Sequence, residues 1–316
     1  MVWRINNSVD EFILLGLTSN PQIQLILFPI FSVIYLITLM GNSLIILVTI
    51  TENSLQTPMY FFLTNLSFID ISYSSAIVPR MLKDLLSLRK TISFGQCAGQ
   101  MYIGASLAYT EFILLPIMAY DRYIAICYPL YYTTIMNRIV CVRIVFITWV
   151  GGFVLPIFLI TFVFRLPMCD RNEINHFVCE LPEVIVLACT DLFTIQYSIF
   201  VLGTMLVMIP VTFILISYMK IIATILKMTS AAGRRKTFST CASHIIVVTL
   251  FYSTIAATYI KPTSIYSQEE DKMIAVVYTV LTPMLNPLIY TLRNKEVKAA
   301  FTNIRKKLYI FSNVLP

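Results

Sequence analysis

The sequence predicts an all-α membrane protein: a seven-transmembrane helix bundle, N-terminus outside and C-terminus inside, with a short amphipathic helix after the seventh span. Three observations predict it. The 316 residues are 58% hydrophobic and only 12% charged, with a mean hydropathy of +0.80. Seven long stretches are nearly free of Asp, Glu, Lys and Arg. Basic residues gather in alternate connections between those stretches. Soluble domains are about a quarter charged, and disordered chains combine low hydrophobicity with high charge. Composition therefore excludes a soluble enzyme and a disordered chain. The stretches are longer than the about ten residues of a barrel strand and do not alternate strictly.

A membrane helix needs about 20 mostly apolar residues. Residues 1–23 hold Asn6, Asn7, Asp10, Glu11 and Pro21. They lack the charged-then-apolar order of a cleaved signal and are expected to form an extracellular segment. Asn6-Asn7-Ser8 is a glycosylation sequon placing a glycan on Asn6. The first span covers residues 24–50, with Leu25–Ile50 as its apolar heart. The second covers 58–79 and is broken only by Asp70. The third covers 95–123 and carries Glu111. The fourth covers 141–164 and the fifth 195–220. The sixth covers 237–260 and contains His244, and the seventh covers 273–292. Residues 24–292 form the bundle and 293–316 the cytoplasmic tail.

Orientation follows from the positive-inside rule. With the N-terminus outside, the cytoplasmic segments carry 14 Lys and Arg against three acids, Glu52, Asp121 and Glu296. The outer segments carry nine against 11. The net charge of +7 is thus a signal of topology and implies no nucleic-acid partner. In the tail, Val297, Phe301, Ile304 and Leu308 recur at helical spacing among cations, as in a helix lying on anionic lipid. A solvated basic tail is the other reading. Four cysteines, Cys97, Cys169, Cys179 and Cys189, fall on the oxidising side, and spacing alone allows three pairings. Cys127, Cys141 and Cys241 fall at or near the cytoplasmic side as free thiols.

Five motifs then carry a resemblance that spans nearly the whole chain. They are Pro58-Met59-Tyr60-Phe61-Phe62-Leu63 in the second span and Met118-Ala119-Tyr120-Asp121-Arg122-Tyr123 in the third. Ser217-Tyr218 ends the fifth, and Lys236-Thr237-Phe238-Ser239-Thr240-Cys241 opens the sixth. Pro283-Met284-Leu285-Asn286-Pro287 leads into Tyr290 in the seventh. Together they resemble the olfactory receptors, rhodopsin-like G-protein-coupled receptors, and look most like the tetrapod-type class.

The resemblance implies an odorant receptor in the plasma membrane that activates a stimulatory, olfactory-type heterotrimeric G protein and raises cyclic AMP. It implies no enzyme and no cofactor. Asp121, Arg122 and Tyr123 would be the switch facing the G protein, joined by Tyr218, Asn286, Pro287 and Tyr290. An arginine fork at a helix end can exchange the adjacent carboxylate for another partner. Proline frees a backbone carbonyl and permits a kink. The family pairs Cys97 with Cys179 and commonly Cys169 with Cys189.

Asp70 and Glu111 are the acids inside spans, where a carboxylate is costly and functional by default. Two neighbouring carboxylates repel unless one is protonated or a cation lies between them. The resemblance favours a sodium ion held by both, with Asn42 and Asn286 nearby. A protonated acid satisfied by hydroxyls such as Ser67 is the other reading.

Residues four apart share a helix face. The third helix then offers Gly104, Ala105, Ala108, Tyr109 and Phe112 as a ligand-facing stripe. Leu202, Gly203 and Leu206 are expected to face it from the fifth. Tyr252, Ile255, Ala256 and Tyr259 come from the sixth, and Val276 and Thr279 from the seventh. The set is mostly apolar with a few hydroxyls, as a small-molecule pocket requires. Amine receptors carry Asp where Gly104 stands, so the expected ligand is a small, neutral, largely apolar odorant.

Three departures stand out. Pro116 sits within the third helix, Tyr252-Ser253 replaces the usual Tyr-Gly, and Lys261 stands where Arg is common. A different rhodopsin-like receptor would be expected to carry Trp and Pro in the sixth helix, which this chain lacks. A transporter should show internal repeats with broken helices, and none is visible.

Overall fold

The computed structural model describes residues 10–168, 172–190, 192–260 and 268–293, with 297, 299, 300 and 302 beyond them. Asn6, Cys169 and Lys261 lie outside the described residues, as does most of the expected amphipathic helix, including Phe301, Ile304 and Leu308. Within the tail, Val297 and Ala300 are buried against the bundle core.

Among the described residues, seven helices are long and apolar enough to cross a membrane. The first runs Pro21–Thr51, the second Pro58–Leu85, the third Phe94–Cys127 and the fourth Arg138–Val163. The fifth runs Leu192–Lys227 and the sixth Ala231–Tyr259. The seventh is built from Gln268–Val276, a π-helical turn Val277–Leu281, and Thr282–Arg293. Each helix is longer than its apolar stretch because caps, and not hydropathy, set helix ends. Asn20 accepts from the Gln22 amide at 2.9 Å, and Asn137 from the Val140 amide at 3.0 Å. Ser93 caps the third helix and Ser230 the sixth, the latter carrying Arg234 and Arg235 into its first turns. The third helix runs unbroken through Pro116.

The outward faces are those of a chain dissolved in lipid. Leu25, Met40, Phe158 and Ile209 are all exposed, whereas Thr38, Asn42, Asp70, Thr110 and Asn286 are buried. The third helix is central, packed on the second, fourth, fifth and sixth. Its closest approach is to the fourth, where a Cβ added at Gly152 would overlap Thr110 Oγ1 and come within 3.0 Å of the Ser106 carbonyl. Trp149 Nε1 donates to Asn65 Oδ1 at 3.1 Å and ties the fourth helix to the second.

One element adds to the all-α expectation. Among the described residues, three short strands form a sheet at one end of the bundle, in the order β2-β1-β3. β1 (Glu11–Leu14) pairs antiparallel with β2 (Thr91–Ser93) and parallel with β3 (Glu173–Ile174). Phe12 and Leu14 point into a buried cluster with Ile92 and Ile174. The chain leaves β1 through Gly16 at φ 76°, a left-handed conformation that favours glycine. The N-terminal segment is therefore the middle strand of a cap that joins the ends of three helices.

Candidate functional site

The bundle has two distinct ends. The disulfide end carries the sheet and the Cys97–Cys179 bond, whose Cα atoms are 5.4 Å apart. Cys189 is also disulfide-bonded, and its expected partner Cys169 lies outside the described residues. The Cys179 amide donates to Gln100 Oε1 at 3.1 Å, so the loop is tied to the third helix twice. His176 cannot pair with Cys179 on a metal, because that thiol is spent in the disulfide. Instead His176 Nδ1 accepts from the Val178 amide at 3.3 Å and its ring stacks on Phe177. Burial pulls its imidazole down to about 4.

A cavity of about 100 Å³ lies beneath this loop, and we call it the deep cavity. The third helix lines it with Gly104, Ala105, Ala108 and Glu111, the sixth with Ile255 and Tyr259. Gly104, Ala105, Ala108, Ile255 and Tyr259 are five of the expected positions, whereas the sequence places Glu111 at the cation site and not in the stripe. Helical spacing then adds residues that sequence reasoning passed over. Phe251 and Thr258 lie four residues before and three after the expected Ile255, on the same face of the sixth helix.

Nine of the 14 expected residues lie elsewhere: Tyr109, Phe112, Leu202, Gly203, Leu206, Tyr252, Ala256, Val276 and Thr279. Leu202 and Leu206 are 55% and 39% exposed and face away from the bundle. The buried face of the fifth helix runs through Val207, Ile214, Tyr218, Ile221 and Ile225. Both leucines lie one residue, about 100°, off that face. Gly203 lies beside the sixth helix, where an added Cβ would stand 3.4 Å from Tyr259 Cβ. On the third helix, Tyr109 is half-buried and does not line the cavity.

Tyr252 and Ala256 are turned one step from the cavity. Tyr252 donates to the Phe112 carbonyl at 2.9 Å, with the two rings 5.0 Å apart, and Ala256 packs on the core. Val276 packs in a cluster with Phe31 and Ile77. Thr279 is fully buried and donates to the Ala275 carbonyl. The π turn changes the register of the seventh helix, so Tyr278 is the residue that meets the cavity. The loop residues Val178, Cys179, Glu180 and Leu181 form the roof. Their signal was in the sequence: a loop cysteine tied to the top of the third helix must carry its neighbours over the bundle.

Between the two ends sit the intramembrane acids. Asn286 Nδ2 donates to both oxygens of Asp70 at 3.1 Å. Glu111 is buried on the third helix, close enough for its charge to act on Asp70. Asn42 Nδ2 donates to the Thr38 and Pro283 carbonyls at 3.0 Å. Asn42 Oδ1, Asn286 Oδ1 and Glu111 Oε1 are buried without a hydrogen-bond partner among the described residues. Two carboxylates and two unpaired amide oxygens are the donor set of a hard cation. Ser67 donates to neither acid among the described hydrogen bonds.

The arginine end holds Asp121, Arg122 and Tyr123. Asp121 is fully buried and accepts from Tyr132 Oη at 2.8 Å. Tyr132 lies on a short helical turn, Tyr132–Ile135, and burial together with the Asp121 carboxylate pushes its phenol up. Tyr123 stacks edge-on with Tyr128, and Lys220 Nζ sits 5.5 Å over its ring. Tyr218 Oη is 2.6 Å from His244 Nδ1 across the fifth and sixth helices. Ser243 ties the sixth helix to the seventh by donating to the Ile289 carbonyl at 3.2 Å. Arg122 Nε and Tyr290 Oη are buried without partners among the described residues. Pro287 packs 3.1 Å from the position of a Cβ on Gly41.

Comparison with known proteins matches this arrangement to a family. The family model described as olfactory receptor matches residues 31–307. The chain is 48% identical to olfactory receptor 9G19 of Mus musculus over 301 residues, covering 95% of this chain and 99% of that protein. It is 48% identical to olfactory receptor 2K2 of Homo sapiens over 297 residues, 94% of each chain. It is 44% identical to olfactory receptor 2B6 of Mus musculus over 313 residues, 99% of this chain and all of that one.

Proposed function

The chain belongs to the olfactory receptor family, a multi-pass plasma-membrane protein and odorant-sensing G-protein-coupled receptor of a family that is not enzymatic; from that premise we propose how it senses and signals. A small, mostly apolar odorant binds in the deep cavity at the extracellular, disulfide end. Binding shifts the sixth helix and opens the arginine end to a stimulatory olfactory-type G protein, raising cyclic AMP. The N-terminus is outside and the C-terminus inside, with the tail on membrane lipid. One observation carries the reading: a cavity between the second, third, sixth and seventh helices sits at the opposite end from Arg122, whose Nε is buried without a hydrogen-bond partner among the described residues.

The path between them is short. Phe251 lines the cavity, and the next residue, Tyr252, is bonded to the third helix at Phe112. Movement of the sixth helix therefore loads that bond. It also loads the Tyr218–His244 pair farther along the same helix. Released, Tyr218 and the unpaired Tyr290 hydroxyl become partners for Arg122. The ligand achieves this only by binding the open state more tightly than the closed one.

Asp70, Glu111, Asn42 and Asn286 hold a sodium ion that favours the closed state. Carboxamide substitution of both acids is expected to remove any sodium dependence of basal signalling. A sodium response that survives the double substitution would contradict this part.

The test of the whole reading is a cyclic AMP reporter in cells expressing the chain with an olfactory-type G protein, screened against an odorant panel. A dose-dependent rise supports the reading. Silence at confirmed surface expression, with a control receptor responding, counts against it.

A further inference from the structure

The deep cavity is not the only space at the disulfide end. A second cavity of about 250 Å³ lies against it at the rim, lined by His176, Glu183, Gln196, Phe200 and Asp271. Four residues line both: Glu180, Thr258, Tyr259 and Tyr278. The partition between the two spaces is thus three hydroxyls and one carboxyl group. A molecule passing from the rim into the deep cavity must slide past them.

Glu180 is held firmly there. Its neighbour Cys179 is fixed to Cys97 by the disulfide and to Gln100 by a hydrogen bond. Its own Oε2 accepts from Tyr278 Oη. That bond orients the carboxyl group and leaves Oε1 as an acceptor at the junction. Burial pushes the carboxyl up to about 7, with the Tyr278 bond opposing and Glu183 adding to the rise.

The surroundings define what this acceptor can take. Among the described residues, no Lys or Arg lines either cavity. Acids line both, Glu111 in the deep cavity and Glu183 and Asp271 at the rim. A carboxylate ligand would be desolvated beside acids without a counter-charge, which is costly. A hydroxyl or ammonium group can instead donate to Oε1, while Ala105, Ala108 and Ile255 take the apolar body. A purely apolar ligand would leave the acceptor unpaired, also at a cost.

We propose that Glu180 determines ligand specificity by accepting a hydrogen bond from the hydroxyl or ammonium head of a small, otherwise apolar molecule that enters through the rim cavity. This deepens the odorant-pocket reading above and rests on it. The wild type, Glu180→Gln and Glu180→Ala are compared at matched surface expression. Each is assayed for cyclic AMP and, after purification, for thermal stabilisation. The probes are hexanol, hexylamine, pentyl methyl ether and hexanoate.

Hexanol and hexylamine are expected to act on the wild type, the ether weakly, and hexanoate not at all. Glu180→Gln should weaken hexylamine about tenfold, the size of one charge-assisted hydrogen bond. It should spare hexanol more, because a carboxamide oxygen still accepts. Glu180→Ala should weaken both and leave the ether unchanged. Stabilisation that depends on Glu180 without cyclic AMP would support the assignment while faulting G-protein coupling. The proposal is overturned if the ether matches hexanol, if both variants respond like the wild type, or if no probe stabilises the receptor.

Discussion

At the disulfide end, the groups that close the loop over the cavity all have partners. Cys97 holds Cys179, Gln100 accepts from the Cys179 amide, Tyr278 donates to Glu180, and β1 is paired on both edges. At the arginine end, Asp121 Oδ2, Arg122 Nε, His244 Nε2 and Tyr290 Oη are buried with no hydrogen-bond partner among the described residues. A buried unpaired polar atom costs about 1–3 kcal/mol. One end is therefore a frame held by paired groups, with Glu180 Oε1 left as an acceptor for a ligand, and the other stores unmade bonds. A bundle built this way can hold a ligand at the first end and gain new pairings at the second when its helices move.

The largest effect is expected where the frame is covalent. Cys97→Ser opens the bond to Cys179, and losing a native disulfide typically costs about 2–5 kcal/mol. Surface expression and the melting temperature of the purified protein should both fall sharply. Unchanged values would show that the hydrogen bonds and sheet hold the loop alone, and the contrast between the ends would weaken.

Next comes the polar lock at the other end. Tyr132→Phe removes the hydrogen bond to Asp121, worth about 1 kcal/mol. We assign that bond to the closed state, so basal cyclic AMP should rise by up to about fivefold at equal expression. A fall in basal signal would mean that the Tyr132–Asp121 bond belongs to the open state.

The smallest effect sharpens the comparison by pH. Glu180 lies at about 7 in the native protein against an ordinary 4.5. The native state thus binds an extra proton across that window. Its share of stability is complete below about 4.5 and is lost as pH rises through about 7. His176, lowered to about 4, has the opposite sign and loses its share as pH falls. The difference between wild type and Glu180→Gln cancels the histidine. The wild-type melting temperature should drop relative to the variant as pH rises from about 5 to about 8. A constant difference would show that Glu180 does not titrate there.

Much of this was legible in the sequence, for physical reasons that differ by region. The spans follow from hydropathy, because lipid demands long apolar helices. The Cys97–Cys179 bond and the Asp70–Asn286 contact came through motifs whose residue types are few and distinctive. On the third helix, spacing along a regular helix led to Gly104, Ala105 and Ala108, which line the cavity, and also to Tyr109 and Phe112, which do not. Spacing failed where the helix gave no anchor. On the fifth, an error of one residue turned Leu202 and Leu206 outward. On the seventh, a π turn that no local residue signals replaced Val276 and Thr279 by Tyr278. The sheet was missed because Glu11–Leu14 reads as a short polar-flanked stretch, and its partners lie far away in sequence.

The central claim is that ligand is bound at one end and read out at the other. The most direct measurement compares Ala105→Phe, which fills the deep cavity, with Arg122→Ala. Each is scored for odorant-induced thermal stabilisation and for cyclic AMP at matched surface expression. The account predicts that Ala105→Phe loses both responses, while Arg122→Ala keeps stabilisation and loses cyclic AMP. Cyclic AMP that survives Arg122→Ala, or odorant stabilisation that survives Ala105→Phe, would contradict it.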